Sequence, residues 1–351
     1  MEVHTAAVIR EYKEKSRKRL FKIVAGLCIC VASFIADILI GPSRLTLSET
    51  FAALFHRETA PVTTAVIVWT LRFPAALMAI GVGASLGLAG ASIQTILDNP
   101  LASPYTLGIS AGAGFGAALA VVFGGFLTEI IGTSLIPLYA FTFSILTCLL
   151  IYFMGRLRSL APETMLLCGL GLSFLFQSLQ SLLQYISSPE ALQSIVFWLF
   201  GSLAKSNWFT VAMIYAVIII IIPLILTDAW KLTALKLGDE KARSLGINVE
   251  RLRIKTFILI SLLTSFAVCF VGVIGFIGLA GPHIARILVG EDQRFFIPLS
   301  AVFGAAILSF SSVISKVLSH GAMLPIGIVT GLIGVPFYFS LIFKSQKRYL
   351  K

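Results

Sequence analysis

The basic residues of this 351-residue chain lie on one side of its apolar map, and that asymmetry constrains the fold more tightly than any motif. Ten apolar stretches recur, at 21–40, 70–96, 104–125, 135–155, 163–186, 209–228, 254–273, 276–290, 297–318 and 325–343. A bilayer core of roughly 30 Å needs about 20 helical residues, so each stretch is read as a candidate span. With the N-terminus cytoplasmic, only Arg44, Arg57, Arg72, Lys205 and Lys316 of the 27 Lys and Arg fall outside. The others collect at Arg10–Lys22, Arg156 and Arg158, Lys231–Lys255, Arg286 and Arg294, and Lys344–Lys351. Basic loops stay inside because anionic lipid and the membrane potential hold them there. Two basic ends on one side require an even number of spans. The expected fold is an all-α polytopic inner-membrane protein of about ten helices with both termini cytoplasmic.

The stretch 254–290 tests that count. One helix of this length would rise roughly 54 Å, far more than the bilayer, and Lys255 and Arg286 would then lie on opposite sides. Two spans with a tight turn near Gly272–Gly275 satisfy both constraints. The organisation expected is a basic segment at 1–20, one membrane domain at 21–343 and a tail at 344–351. The first stretch is long for a signal peptide and is read as retained. Surface helices are expected at 41–62, through Leu47, Phe51, Leu54 and Phe55, and at 187–208, through Ile195, Trp198 and Leu199.

The chain is 58% hydrophobic and 12% charged. Its positive balance sits in loops beside apolar spans, so orientation explains it and nucleic-acid binding is not expected. Cys28, Cys30, Cys148, Cys168 and Cys269 all lie in apolar stretches without a CxxC, and His4, His56, His283 and His320 are scattered, so no metal site is expected. His283 reads as a packing or helix-start residue. A GxxxxGK[ST] phosphate loop is missing, so this chain should not hydrolyse ATP. Ionisable groups inside the spans are nearly absent, Asp37 and Glu163 being read as wetted span ends; a secondary transporter would need such groups, and a membrane-embedded enzyme a cluster of them.

Glycine recurs at helical spacing: Gly83 with Gly87, Gly108 with Gly112 and Gly116, Gly327 with Gly331, and Gly272, Gly275, Gly278 and Gly281. Close helix packing is the reading for all of them. In the fifth stretch Ser173, Gln177, Gln180, Ser181 and Gln184 share one helical face. Amides facing lipid are costly, so the stripe faces a water-filled pathway or serves as interhelical hydrogen-bond glue.

Four ordered blocks carry a resemblance. LRFPAALMAIGVGASLGLAGASIQTILDNPLASPYTLGISAGAGFG (71–116), LGDEKARSLGI (237–247), GFIGLAGPHIARILVGEDQRFFIP (275–298) and LPIGIVTGLIGVPFYFSLI (324–342) resemble FecCD-type permeases, the membrane subunits of ABC importers for ferric siderophores, haem and vitamin B12. The resemblance implies a non-enzymatic subunit that pairs with a second permease, as a homo- or heterodimer. It implies two separate ATPase subunits carrying ATP and Mg, and an extracellular or periplasmic binding protein that delivers substrate. Ser173, Gln177, Gln180, Ser181 and Gln184 would line the pathway. The ATPase stroke would enter through Leu237, Gly238, Asp239, Glu240, Ala242, Arg243, Leu245 and Gly246. Arg72 and Lys316 match outer basic positions that meet the binding protein. No cofactor bound by this chain is implied. An iron chelate, a ferric siderophore first, is the expected cargo, with haem or cobalamin as the alternative. The chain departs from the family pattern at Ala75, where a second Arg is frequent, and at Ser312 and Lys316, where Asp and Arg are. It departs also at Met323, in place of Glu, and at Asp292-Gln293-Arg294, in place of DHR.

Overall fold

The structure, a computed structural model, describes residues 2–43, 45–56, 58, 60–125, 132–157, 160–318 and 324–349. Arg44, Arg57, Arg158, His320, Met323 and the last two residues of the expected tail lie outside the described residues. Among the described residues there is no strand.

Helix α1 (Glu2–Leu39) is followed by a short α2 (Leu47–Phe55) and by α3 (Val62–Val66). A π-helical turn (Ile67–Arg72) joins α3 to α4 (Phe73–Ile96). Next come α5 (Ile109–Phe123), α6 (Leu135–Arg156), α7 (Pro162–Ile186), the short α8 (Pro189–Leu199) and α9 (Trp208–Leu226). Two small helices, α10 (Ala229–Leu235) and α11 (Asp239–Ser244), lead to α12 (Val249–Val271), α13 (Ile277–Val289), α14 (Gln293–Leu318) and α15 (Ile326–Tyr349). Among the described residues, seven helical runs are long and apolar enough to cross a membrane: α1, the continuous Val62–Ile96 rod, α6, α7, α9, α12 and α14. Three shorter apolar helices, α5, α13 and Ile326–Pro336 of α15, occupy the remaining expected stretches. The chain is a multi-pass membrane protein.

The segment 1–20 is not separate from the first span, because α1 runs through it from Glu2. It is held by Arg19, which pairs with Asp292 at 2.9 Å, and by Tyr12, which meets Arg294. Arg294 in turn lies 3.8 Å from the centre of the Trp230 ring. Burial raises the Asp292 carboxyl, but Arg294 and Arg19 more than offset this and hold it below the ordinary carboxylate value. The contact is therefore complete at neutral pH and is lost only as pH falls through that lowered pKa.

Helix α4 is buried along almost its whole length, surrounded by α14, α12, α13 and α9. Its glycines explain how. Gly83 and Gly87 lie against Gly304 and Ser300 of α14, and Gly90 lies against Gly278 of α13. A Cβ on any of the three would overlap the facing backbone. Gly112 and Gly116 seat α5 on Phe143, Thr147 and Tyr139 of α6 in the same way. In lipid no hydrophobic force separates helix contacts from lipid contacts, so this close approach supplies the packing that joins the spans. Among the described residues, a Cβ added at Gly331 or Gly275 would meet nothing within 4 Å, so neither makes such a contact there.

The expected break in 254–290 is present. Helix α12 stops at Val271, Gly272 has φ +78°, and Phe276 takes the left-handed conformation before α13 begins. Helix α13 has 13 residues, roughly 20 Å, and so starts part-way through the bundle. Helix α5 does likewise: it has 15 residues and begins after Gly108 (φ +76°), which packs on Gly169 and Ser173 midway along α7. Residues 104–108, expected to be helical, form turns instead, since Pro104 lacks an N–H and restricts the residue before it.

The amphipathic helix expected at 41–62 forms as α2, but its apolar face points outward. Leu47, Phe51 and Phe55 are exposed while Thr50 and Ala53 are buried, and the Trp69 indole donates to the Ala53 carbonyl. Around 187–208, Ile195 of α8 is buried.

Substitution separates the two kinds of glycine. Gly90→Leu should cost about 3 kcal/mol or more by prising α4 from α13, lowering the thermal unfolding midpoint in detergent. Gly331→Ala in the isolated chain, inside a helix and with room for the methyl group, should leave the fold intact and stabilise it by about 0.5–1 kcal/mol.

Candidate functional site

The polar stripe of α7 divides into two parts. Ser173 is buried, and its hydroxyl donates to the Gly169 carbonyl at 2.8 Å, beneath Gly108. Gln180 lies against Gly114 of α5. Gln177 and Ser181 are exposed and Gln184 is half-buried, beside the exposed Phe174, Leu175, Leu182 and Tyr185. The first two residues therefore seat α5, while the other three point out of the chain. An outward amide inside a membrane requires water or another polypeptide.

Further candidate residues that the stripe did not reveal lie where the two short helices begin. A cavity of about 300 Å³ is lined by Ser103 and Tyr105 before α5, Val273 and Phe276 before α13, Phe200 after α8, and Ile328 of α15. Two interrupted spans thus present loops to one space, an arrangement that membrane proteins tolerate only where the irregular backbone lines a cavity or is covered by protein. The sequence signal was the pair of breaks, Pro104–Gly108 and Gly272–Gly275.

At the end of the bundle that carries Lys231–Lys255, residues 237–247 form a compact projection. Gly238 (φ +101°) opens α11 and Gly246 (φ +80°) closes it, both in the left-handed half of backbone space that favours glycine. Ala242 is fully buried, and the Ile247 N–H bonds back to the Ala242 carbonyl. Leu237 and Leu245, by contrast, are 58% and 63% exposed, among the exposed Glu240, Lys241 and Arg243. Beneath the projection, Arg253 of α12 grips the Asp239 carboxylate with two hydrogen bonds of 2.8 Å. Asp228, at the end of α9, accepts from Lys231 at 2.7 Å and Lys255 at 2.5 Å. Burial raises its pKa, but the two lysines outweigh burial and hold it below the usual carboxylate value. One short helix is thus fixed on its inner face and presents two leucines outward. That is the geometry of a docking knob.

The sequence profile of the FecCD transport family matches residues 29–344. The chain belongs to the FecCD transport family. Over 93% of its length it is 34% identical to the molybdate import system permease MolB of Haemophilus influenzae, covering 96% of that protein. It is 31% identical to the Fe(3+)-citrate import system permease YfmD of Bacillus subtilis, covering 95% of this chain and 98% of the relative. In fold it is similar to a chain whose structure is described as an inward-facing conformation of a metal-chelate type ABC transporter. That match has a TM-score of 0.79 at 33% identity, over 92% of this chain and 99% of the other. This FecCD protein is therefore an ABC importer permease, a non-catalytic transport subunit.

The FecCD pattern suggested Arg72 and Lys316 as outward cations, but the structure places both inside. Each is only 4% exposed. Arg72 donates to the carbonyls of Ile38, Leu39 and Ser43. Lys316 donates to the Asp37 carbonyl at 2.6 Å and to its carboxylate at 2.7 Å. Two cations thus close the C-terminal end of α1, where unsatisfied carbonyls carry partial negative charge. Asp37 is likewise corrected: it is fully buried rather than wetted. Asp37 of α1 is the carboxylate that pairs with Lys316 of α14, 279 residues away. Neither side chain offers a docking surface.

Removing one partner of such a pair leaves the other buried without its counter-charge. Lys316→Met should cost about 3–5 kcal/mol, and Asp37→Asn in the same chain should restore most of it. Thermal unfolding of the detergent-solubilised single and double variants measures both.

Proposed function

We propose that this chain forms the translocation pathway for an iron chelate, a ferric siderophore first, in a bacterial inner membrane. Ten spans with both termini cytoplasmic make up its permease domain. It works beside a second permease subunit, with two separate ATPase subunits that hold ATP and Mg, and receives cargo from an extracellular or periplasmic binding protein.

The observation that carries this reading is the 237–247 projection. Exposed Leu237 and Leu245 flank the short helix of this projection among charged residues, a surface that suits cover by another protein. Their base is anchored to α12 by Arg253 rather than left mobile. On the α7 face, Gln177, Ser181 and Gln184 suit a wet passage shared with the partner permease. The cavity at the two interrupted spans is a second space within the chain that suits such a passage. The likeness to the ferric-citrate permease and to the metal-chelate type structure supports iron, and the likeness to the molybdate permease gives an oxyanion support of the same kind. Haem or cobalamin is the second reading for cargo. A secondary transporter is disfavoured: the buried Asp37–Lys316 pair closes the end of α1, and neither residue lines the cavity.

Reconstitution of the chain with its ATPase and binding-protein partners in proteoliposomes tests the proposal. ATP should drive accumulation of a radioiron hydroxamate siderophore, and Gly246→Trp, at φ +80°, should abolish it while membrane insertion is kept. Accumulation of haemin or cobalamin instead would change the cargo. Uptake that needs a proton gradient and no ATPase would overturn the mechanism.

A further inference from the structure

Arg253 is only 5% exposed, yet from α12 it touches two other parts of the chain at once. Its Nη1 and Nη2 donate to the two oxygens of Asp239 in α11, at 2.8 Å each, and its Nε donates to the Ile96 carbonyl at 3.0 Å. Ile96 is the last residue of α4. The guanidinium therefore bridges the base of the 237–247 projection and the end of the most buried helix. A planar fork makes this possible: two N–H groups fit one carboxylate while the third points away, which an ammonium cannot reproduce.

The end of α4 is itself joined to both interrupted spans. The Gln94 side chain, 1% exposed, donates to the Gly278 carbonyl at the start of α13 and accepts from Arg286 at 2.7 Å. The chain beyond Ile96 runs through Asp98 to Ser103 and Tyr105, which line the cavity. A second tie between projection and α4, Lys236 to Asp98, sits at the surface with the Asp98 side chain 70% exposed. Exposed pairs are screened and hold little. The buried bridge is the stiff one.

We propose that Arg253 is the positioning residue that carries movement of the 237–247 projection to the end of α4, and through it to the loops lining the cavity. The proposal rests on reading that projection as the ATPase-coupling element. In the nucleotide cycle, the projection and the α4 end move as one body because a bidentate pair and a backbone hydrogen bond share one planar group. Tyr105 and Phe276 are then displaced from two sides by one input.

The experiment uses the assembled importer with its five native cysteines replaced, and nitroxide pairs read by pulsed electron paramagnetic resonance. Leu157, 84% exposed at the end of α6, is the common reference. One pair places the second label at Ser244 on the projection, the other at Leu101 on the loop after α4; both positions are exposed. Between the nucleotide-free and ATP–vanadate states, both distances should shift in the otherwise unaltered protein. With Arg253→Lys the Ser244 shift should persist and the Leu101 shift should fall to less than half. Asp239→Ala, at the more exposed partner, should do the same and serves if Arg253→Lys fails to assemble. An undiminished Leu101 shift in both variants would overturn the proposal, as would a Leu101 distance that never changes in the unaltered protein. A Ser244 distance that does not respond to nucleotide would instead remove the coupling-element reading beneath it.

Discussion

The contact of α4 with α13 and α14 is a contact of backbone on backbone, and the architecture depends on it. Gly83, Gly87 and Gly90 let the main chains of Gly304, Ser300 and Gly278 approach where a methyl group would not fit. Because α4 is so closely surrounded, α13 can begin part-way through the bundle and still have its first residues covered. Helix α5 repeats the device on the other side, with Gly108 seated on α7 and Gly112 and Gly116 on α6. Two short helices, each reached through a left-handed residue, leave their preceding loops facing one cavity. Small side chains at the contacts therefore create the space as well as the packing.

Charge is handled with the same economy. Arg72, Lys316 and Asp37 gather at one end of α1, and Arg253 gathers Asp239 and Ile96 at the other end of the bundle. Each cation meets a carboxylate, backbone carbonyls or both, as buried ions must. The two groups differ in what they hold. The first closes a helix end against its neighbours. The second lies between a surface projection and the core, and so stands on the route that a mechanical signal would take.

Much of this was legible from residues alone. The positions of the apolar helices followed from length and hydropathy, the break in 254–290 from two constraints that one helix could not meet, and the 237–247 element from a family resemblance. What escaped was tertiary. Asp37 and Lys316 are 279 residues apart, and no local pattern announces that α1 and α14 bring them together. Arg72 looked like an outward cation because it starts a span, yet the end of α1 folds over it. Residues 104–108 counted as part of an apolar stretch because hydropathy does not register the Pro104 and Gly108 breaks. The α7 stripe was a correct face but mixed two roles, since periodicity cannot tell a hydroxyl that seats a neighbouring helix from an amide that leaves the chain.

The claim on which the account turns is that the 237–247 projection is the surface an ATPase grips. Leu245→Cys in the assembled importer, with native cysteines replaced, can be challenged with a short bifunctional thiol reagent in inside-out vesicles. The account predicts a cross-link from position 245 to the ATPase subunit, and none from Leu192→Cys on α8. A cross-link from 192 and none from 245 would place the ATPase at the opposite end and contradict it.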